Sequence, residues 1–203
     1  MNILEQRIFD YTSKEGKRIH KPYFVGKIYD DLFSKLRETD VNILEIGIEH
    51  GGCLQMWKEY FGPKAFIYGV DYAEHHCFEE EQIKCFVGNQ NDKVFLKTIP
   101  TLIPKIDIII DDGSHISSDQ IVTFEELFGG ISAGGFYVIE DTHTSYRATH
   151  EGGYKKDGTF IEYCKHIIDS LYAREIKNFT PNLHYNLIDS ISFYEQLVVI
   201  KKK

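Results

Sequence analysis

Five apolar runs of strand length alternate with helical patterns along this chain, and that alternation confines it to βαβ units built on a mostly parallel sheet. The runs are 41–47 (VNILEIG), 65–71 (AFIYGVD), 84–88 (KCFVG), 105–111 (KIDIIID) and 134–140 (GGFYVIE). Helical patterns fit at 52–61, 92–99 and 117–128. Ser117 or Ser118 is placed to cap the third of these, and Phe124, Leu127 and Phe128 supply its apolar stripe. Strands this rich in Ile and Val are buried on both faces, and the ligand crevice of an open α/β sheet lies outside their carboxyl ends. Two strands end there on acidic pairs, Asp111-Asp112 and Glu140-Asp141. Uncompensated carboxylates crowded in a partly dry cleft raise one another's pKa and desolvate poorly, and a divalent cation would relieve both costs.

With 203 residues, 42% hydrophobic and 14% aromatic, the chain can bury one substantial core. A net charge of -8 argues against nucleic acid as partner, since phosphate binding needs clustered Lys and Arg. No apolar run reaches 18 residues, and Glu5, Arg7 and Asp10 interrupt the place where a signal peptide would be apolar, so the expectation is a cytoplasmic protein without membrane insertion. Cys53, Cys77, Cys85 and Cys164 show no CxxC spacing and read as small semi-buried side chains.

The expected organisation is a single domain over 1–203, with an N-terminal helical segment or lid at 1–40 and a Rossmann-like core at 41–203. Within 1–40, helical stretches at 3–11 and 25–38 flank the basic TSKEGKRIHKP, either a solvated loop or a flap over a ligand. The polar stretch RATHEGGYKKDGT suits a substrate lid, a helix follows at about 159–177, and LIDSISFYEQLVVIKKK reads as an antiparallel hairpin at the sheet edge. The adjacent His75 and His76 are poorly disposed to share a metal, because neighbouring side chains diverge on a helix or strand.

The first strand runs into LEIGIEHGG, with Glu45, Gly47, Gly51 and Gly52 at the turn. Glycines allow a sharp turn and close approach of a ligand. The spacing is not GxGxxG, and a carboxylate at Glu45 would repel a pyrophosphate, so the loop suits a cationic or neutral ligand. Asp71 ends the second strand where an acid commonly holds ribose hydroxyls, and Asn89, Gln90 and Asp92 follow the third. Together these suggest S-adenosylmethionine, with Asp111 as a further residue of the cofactor shell.

Five segments, TSKEGKRIHKPYFVGKIYDDLF, NILEIGIEHGGCLQMWKEYFGPKAFIYGVDY, IDIIIDDGSHISSDQIVTFEELF, GGFYVIEDTHTSY and ISFYEQLVVIKK, span nearly the whole chain. In them the sequence resembles class I S-adenosylmethionine-dependent methyltransferases, and within these the metal-dependent sugar O-methyltransferases of the mycinamicin and rhamnosyl type. DDGSH followed by VIED is the specific part. The resemblance implies a Rossmann-like α/β fold with an antiparallel C-terminal edge and helices on both faces. It implies Mg2+ or Mn2+ on Asp112, Glu140 and Asp141, His115 as general base, Gly47 at the methionine moiety, Asp71 at the ribose, and Glu45 and Asp92 nearby. His143 stands where relatives often carry an aromatic residue. Members of the mycinamicin type carry a further N-terminal domain that helps assemble the oligomer, and a homo-oligomer is an open expectation here.

The chemistry suits such a site. A sugar hydroxyl stays protonated at neutral pH and is a poor nucleophile, so a hard cation and a nearby imidazole of pKa about 6.5 would both help. The acceptor implied is a small-molecule sugar: nucleotide-activated, a surface-polysaccharide precursor, or part of a glycosylated natural product. The competing readings are a methyltransferase for a non-sugar small molecule, a Rossmann-type oxidoreductase, disfavoured by the missing GxGxxG, and a non-catalytic scaffold.

Overall fold

The computed structural model describes residues 1–203, which form two compact units, Met1–Gly88 and Asn89–Lys203. In the first unit, β1 (Asn42–Ile46), β2 (Phe66–Asp71) and β3 (Ile83–Val87) run parallel, with β2 in the middle. The helices are α1 (Ile3–Thr12), α2 (Val25–Phe33) and α3 (Gly52–Phe61). A capping box starts α1: Asn2 accepts from the Glu5 N–H while the Glu5 carboxylate accepts from the Asn2 N–H. Tyr29 and Phe33 of α2 meet Trp57, Tyr60 and Phe61 of α3 in one buried aromatic cluster, with Trp57 edge-on to Tyr29 at 5.1 Å. Edge-to-face pairs of this kind add about 0.5–1.5 kcal/mol each beyond the area they bury.

The basic segment between α1 and α2 is largely exposed and is anchored near its end. Ile19 is 1% exposed, and Lys21 buries its ammonium 3.5 Å from the Glu45 carboxylate.

In the second unit the order is α4 (Lys93–Leu102), β4 (Ile106–Asp111), α5 (Ser117–Leu127), β5 (Ile131–Ile139), α6 (Phe160–Leu171), β6 (Ile188–Tyr194) and β7 (Leu197–Lys202). β4 pairs parallel with β5, and β7 lies antiparallel between β5 and β6. The alternation of strands and helices thus produces the parallel pairs β1–β2 and β4–β5 across α3 and α5, and the predicted hairpin supplies the antiparallel edge. Phe124 and Phe128 close over Tyr137 of β5 in the core. No helix is long and apolar enough to cross a membrane.

Three local expectations need correction. Neither Ser117 nor Ser118 caps α5: the N-cap is Ile116, Ser117 is buried in the first turn, and the preceding turn is held by Ser114, whose hydroxyl donates to Asp119 and accepts from the Ile116 N–H. β5 begins at Ile131, three residues early, through a register shift against β4. The last helix stops at Leu171 rather than near 177. The stretch expected as a lid, 147–159, holds one 3₁₀ turn at Ala148–His150, and its Gly152 and Gly153 are hydrogen-bonded back to Arg147 and Ser145.

Candidate functional site

In the first unit the tip of β1 is shaped by backbone conformation. Gly47 has φ +93° and donates to the Val70 carbonyl at 2.8 Å, a conformation that side chains rarely tolerate. Asp71, at the tip of β2, reaches back to this loop. Its Oδ2 accepts from the Ile48 and Glu49 N–H groups at 2.9 and 3.3 Å, and its Oδ1 accepts from Ala73 at 2.9 Å with His76 Nδ1 3.1 Å away. Burial alone would raise the carboxyl pKa, yet these donors outweigh it and hold the group below the usual carboxylate value. Glu45 is fully buried beside Lys21. Outside the predicted set, Glu49 (φ +48°) stands between His20, 3.0 Å away, and His50, 3.8 Å away. Glu49, His50, His75 and His76 line a cavity of about 410 Å³.

In the second unit, the tips of β4 and β5 bring Asp112, His115 and Asp141 together, each offering a ligand atom within 4.8 Å of the others. His115 Nε2 lies 3.6 Å from Asp141 Oδ2, and His143 Nδ1 lies 3.7 Å from Asp141 Oδ1. His115 and Asp141 both adopt the left-handed backbone conformation, φ +57° and +51°. Such residues are disfavoured by about 1–2 kcal/mol and persist where surrounding structure imposes them, commonly at functional sites. Glu140 is 3% exposed at the end of β5; its N–H donates to the Asp111 carbonyl and its own carbonyl accepts from Gln120.

Two carboxylates within reach of one point, with a third adjacent in the chain, suit a hard divalent ion, and the His115 imidazole stands beside them. His115 Nδ1 is buried without a hydrogen-bond partner, a cost that a ligand or substrate hydroxyl would remove.

The remaining predicted residues have structural partners. Asp111 is fully buried, accepting from Gln90 Nε2 at 3.1 Å and Tyr137 OH at 3.3 Å. Burial pushes its carboxyl up to about 7, against the pull of Gln90, the Gly113 N–H and Tyr137. Gln90 also accepts from the Ser114 N–H, and a Cβ at Gly113 would overlap its Oε1, which is why glycine follows the acidic pair. Asp92 is the N-cap of α4, accepting from the Val94 and Phe95 N–H groups. Thr144 was not anticipated; its hydroxyl lies between the carbonyls of His115 and Asp141. Only the TSY following the acidic pair could have drawn attention to it.

No protein-family model matches the chain. Among curated proteins it is 33% identical over 186 residues to the 8-demethyl-8-alpha-L-rhamnosyl tetracenomycin-C 2'-O-methyltransferase of Streptomyces olivaceus, covering 86% of this chain and 49% of that protein. It is 34% identical over 188 residues to the mycinamicin VI 2''-O-methyltransferase of Micromonospora griseorubida, covering 86% and 47%. Among solved structures, the MycE methyltransferase from the mycinamycin biosynthetic pathway, in complex with Mg, S-adenosylhomocysteine (SAH) and mycinamycin VI, matches 99% of this chain and 53% of its own with a TM-score of 0.86 at 32% identity. The chain spans about half the length of the curated relatives it matches. With this similarity in sequence and fold, the chain belongs to the class I S-adenosylmethionine-dependent methyltransferases, among relatives of the mycinamicin and tetracenomycin sugar O-methyltransferases.

Proposed function

We propose that the chain carries an S-adenosylmethionine-dependent, divalent-metal-dependent O-methyltransferase activity toward a sugar hydroxyl of a glycosylated small molecule. The observation that supports this most directly is the gathering of Asp112, His115 and Asp141 within 4.8 Å at the ends of two parallel strands. The relatives support the acceptor class: the named tetracenomycin and mycinamicin enzymes methylate sugar-bearing natural products.

Asp112 and Asp141 would hold Mg2+ or Mn2+ with hard oxygen donors, and Glu140 is the third carboxylate assigned to it. When bound, such an ion supplies positive charge that lowers the cost of deprotonating an alcohol beside it. His115, whose Nδ1 has no protein partner, would accept the hydroxyl proton there; the bound cofactor would supply an activated methyl group to the acceptor oxygen, its C–S bond breaking and S-adenosylhomocysteine leaving. In the first unit, the left-handed backbone of Gly47 admits the methionine moiety, and Asp71 offers its remaining acceptor capacity to the ribose. Gln90, Asp92 and Asp111 have structural duties and are left out of this assignment; Glu45, buried against Lys21, shapes the loop from behind.

Chelation with EDTA should abolish methylation of a rhamnosylated acceptor and Mg2+ or Mn2+ should restore it; full turnover after thorough chelation refutes the metal role. His115→Ala should cut turnover by roughly 10²–10⁴-fold while Mn2+ and SAH affinities hold. If Mn2+ affinity collapses as well, His115 is a ligand and not the base.

A further inference from the structure

We propose that Thr144 is a positioning residue whose hydroxyl clips together the two left-handed residues carrying the base and a metal ligand. This rests on the proposed reading of the site. The Thr144 Oγ1 lies 2.8 Å from the Asp141 carbonyl and 2.9 Å from the His115 carbonyl, and the Thr144 N–H also donates to Asp141 at 2.9 Å. The first of these bonds is ordinary: a threonine in a helical turn commonly bonds the carbonyl three residues back. The second is not local. It spans 29 positions and joins the loop after β4 to the loop after β5.

What this bond does follows from the backbone at its two ends. At φ +57° and +51°, His115 and Asp141 sit where L-residues are disfavoured, so each peptide would relax toward an ordinary conformation unless held. Relaxation swings the Cα–Cβ direction of the residue, and with it the imidazole or the carboxylate. A single hydroxyl proton shared between the two carbonyls ties both peptides to one point, and Thr144, at 2% exposure, is itself fixed by burial. The 3.6 Å approach of His115 Nε2 to Asp141 Oδ2, and their common reach toward Asp112, depend on those two directions. Thr144 touches neither the ion nor the acceptor in this account; it acts through the two residues it clips.

The test compares Thr144→Val, which keeps the shape and loses the hydroxyl, with Thr144→Ser, which keeps the hydroxyl. Mn2+ affinity read by electron paramagnetic resonance should fall by roughly ten- to a hundredfold in the valine variant. kcat should fall with it, and SAH affinity should stay within about twofold of the wild-type value; the serine variant should restore both metal affinity and kcat. In metal-free protein, amide hydrogen exchange at 113–116 and 141–145 should accelerate in the valine variant and recover in the serine variant. Wild-type affinity and exchange in Thr144→Val overturn the clip. If the wild type binds no Mn2+ while exchange still follows the hydroxyl, the metal reading fails and the clip stands. Should Thr144→Val not fold, Thr144→Ala against Thr144→Ser makes the same comparison, and equal metal affinity in that pair overturns the proposal.

Discussion

Replacing Asp71 with asparagine probes the set of backbone donors that joins the tips of β1 and β2 in the first unit. The best orientation of the amide leaves its oxygen on the Ile48 and Glu49 N–H groups and turns its NH2 toward the Ala73 N–H and His76 Nδ1. The imidazole nitrogen can accept from the new NH2, but the Ala73 donor then faces another donor. One charge-assisted bond worth roughly 1.5–3 kcal/mol is lost, and two others weaken because the acceptor no longer carries charge. The expected cost is about 2–4 kcal/mol, or a fall in Tm of roughly 5–15 °C for a chain of this size. The carboxyl lies below its ordinary value when folded. Its contribution is therefore present above the unfolded pKa of about 3.9 and lost as pH falls through the lower folded value. Differential scanning calorimetry should thus find a gap between wild type and Asp71→Asn that persists from pH 7 to pH 5 and closes only in stronger acid. A variant that melts within a degree or two of wild type at pH 7, or a gap that closes before pH 5, would refute the reasoning.

Asp111 behaves oppositely. Its folded pKa, about 7, lies above the unfolded value, so stability is full below about pH 4 and is lost as pH rises through 7, by an amount on the order of 4 kcal/mol. Asp111→Asn, which can accept from Gln90 and donate to the Tyr137 oxygen, should remove that slope in urea titrations run with EDTA between pH 5 and 8; an unchanged slope would assign it to another group. Asp92→Ala should cost about 1 kcal/mol as a lost helix cap and leave SAH affinity unchanged. A large loss of SAH affinity at unchanged stability would instead return Asp92 to the cofactor shell.

The architecture was legible because apolar periodicity and glycine punctuation act locally. Helix α3 occupies 52–61 as its pattern requires, β1, β2 and β4 match within a residue at either end, and the hairpin sits where its alternation ends in the EQ turn. What escaped was set by tertiary partners. Asp92 and Asp111 share a residue type with Asp112 and Asp141, and only packing sends one to a helix end and another to the interior against Gln90. The left-handed backbone of His115 and Asp141 cannot be told from residue type, because histidine and aspartate enter that region more than most side chains yet only in a minority of cases, and the non-local bond of Thr144 leaves no mark in spacing. Helix α4 runs past Pro100 to Leu102, where the sequence reading stops at 99, and the Ile103 N–H still reaches the Ile99 carbonyl at 3.0 Å beyond the proline.

The turn between β6 and β7 also reaches the neighbourhood of Asp141: the Gln196 carbonyl accepts from the Thr142 N–H at 3.0 Å. Closing that contact requires the late hairpin to dock against β5, a pairing between distant parts of the chain, and such pairings form slowly because the loop between them must be ordered first. Refolding should therefore recover helical ellipticity ahead of Mn2+ binding, and the rate of that later recovery should respond to changes at the hairpin tip, which supplies none of the residues proposed to hold the ion.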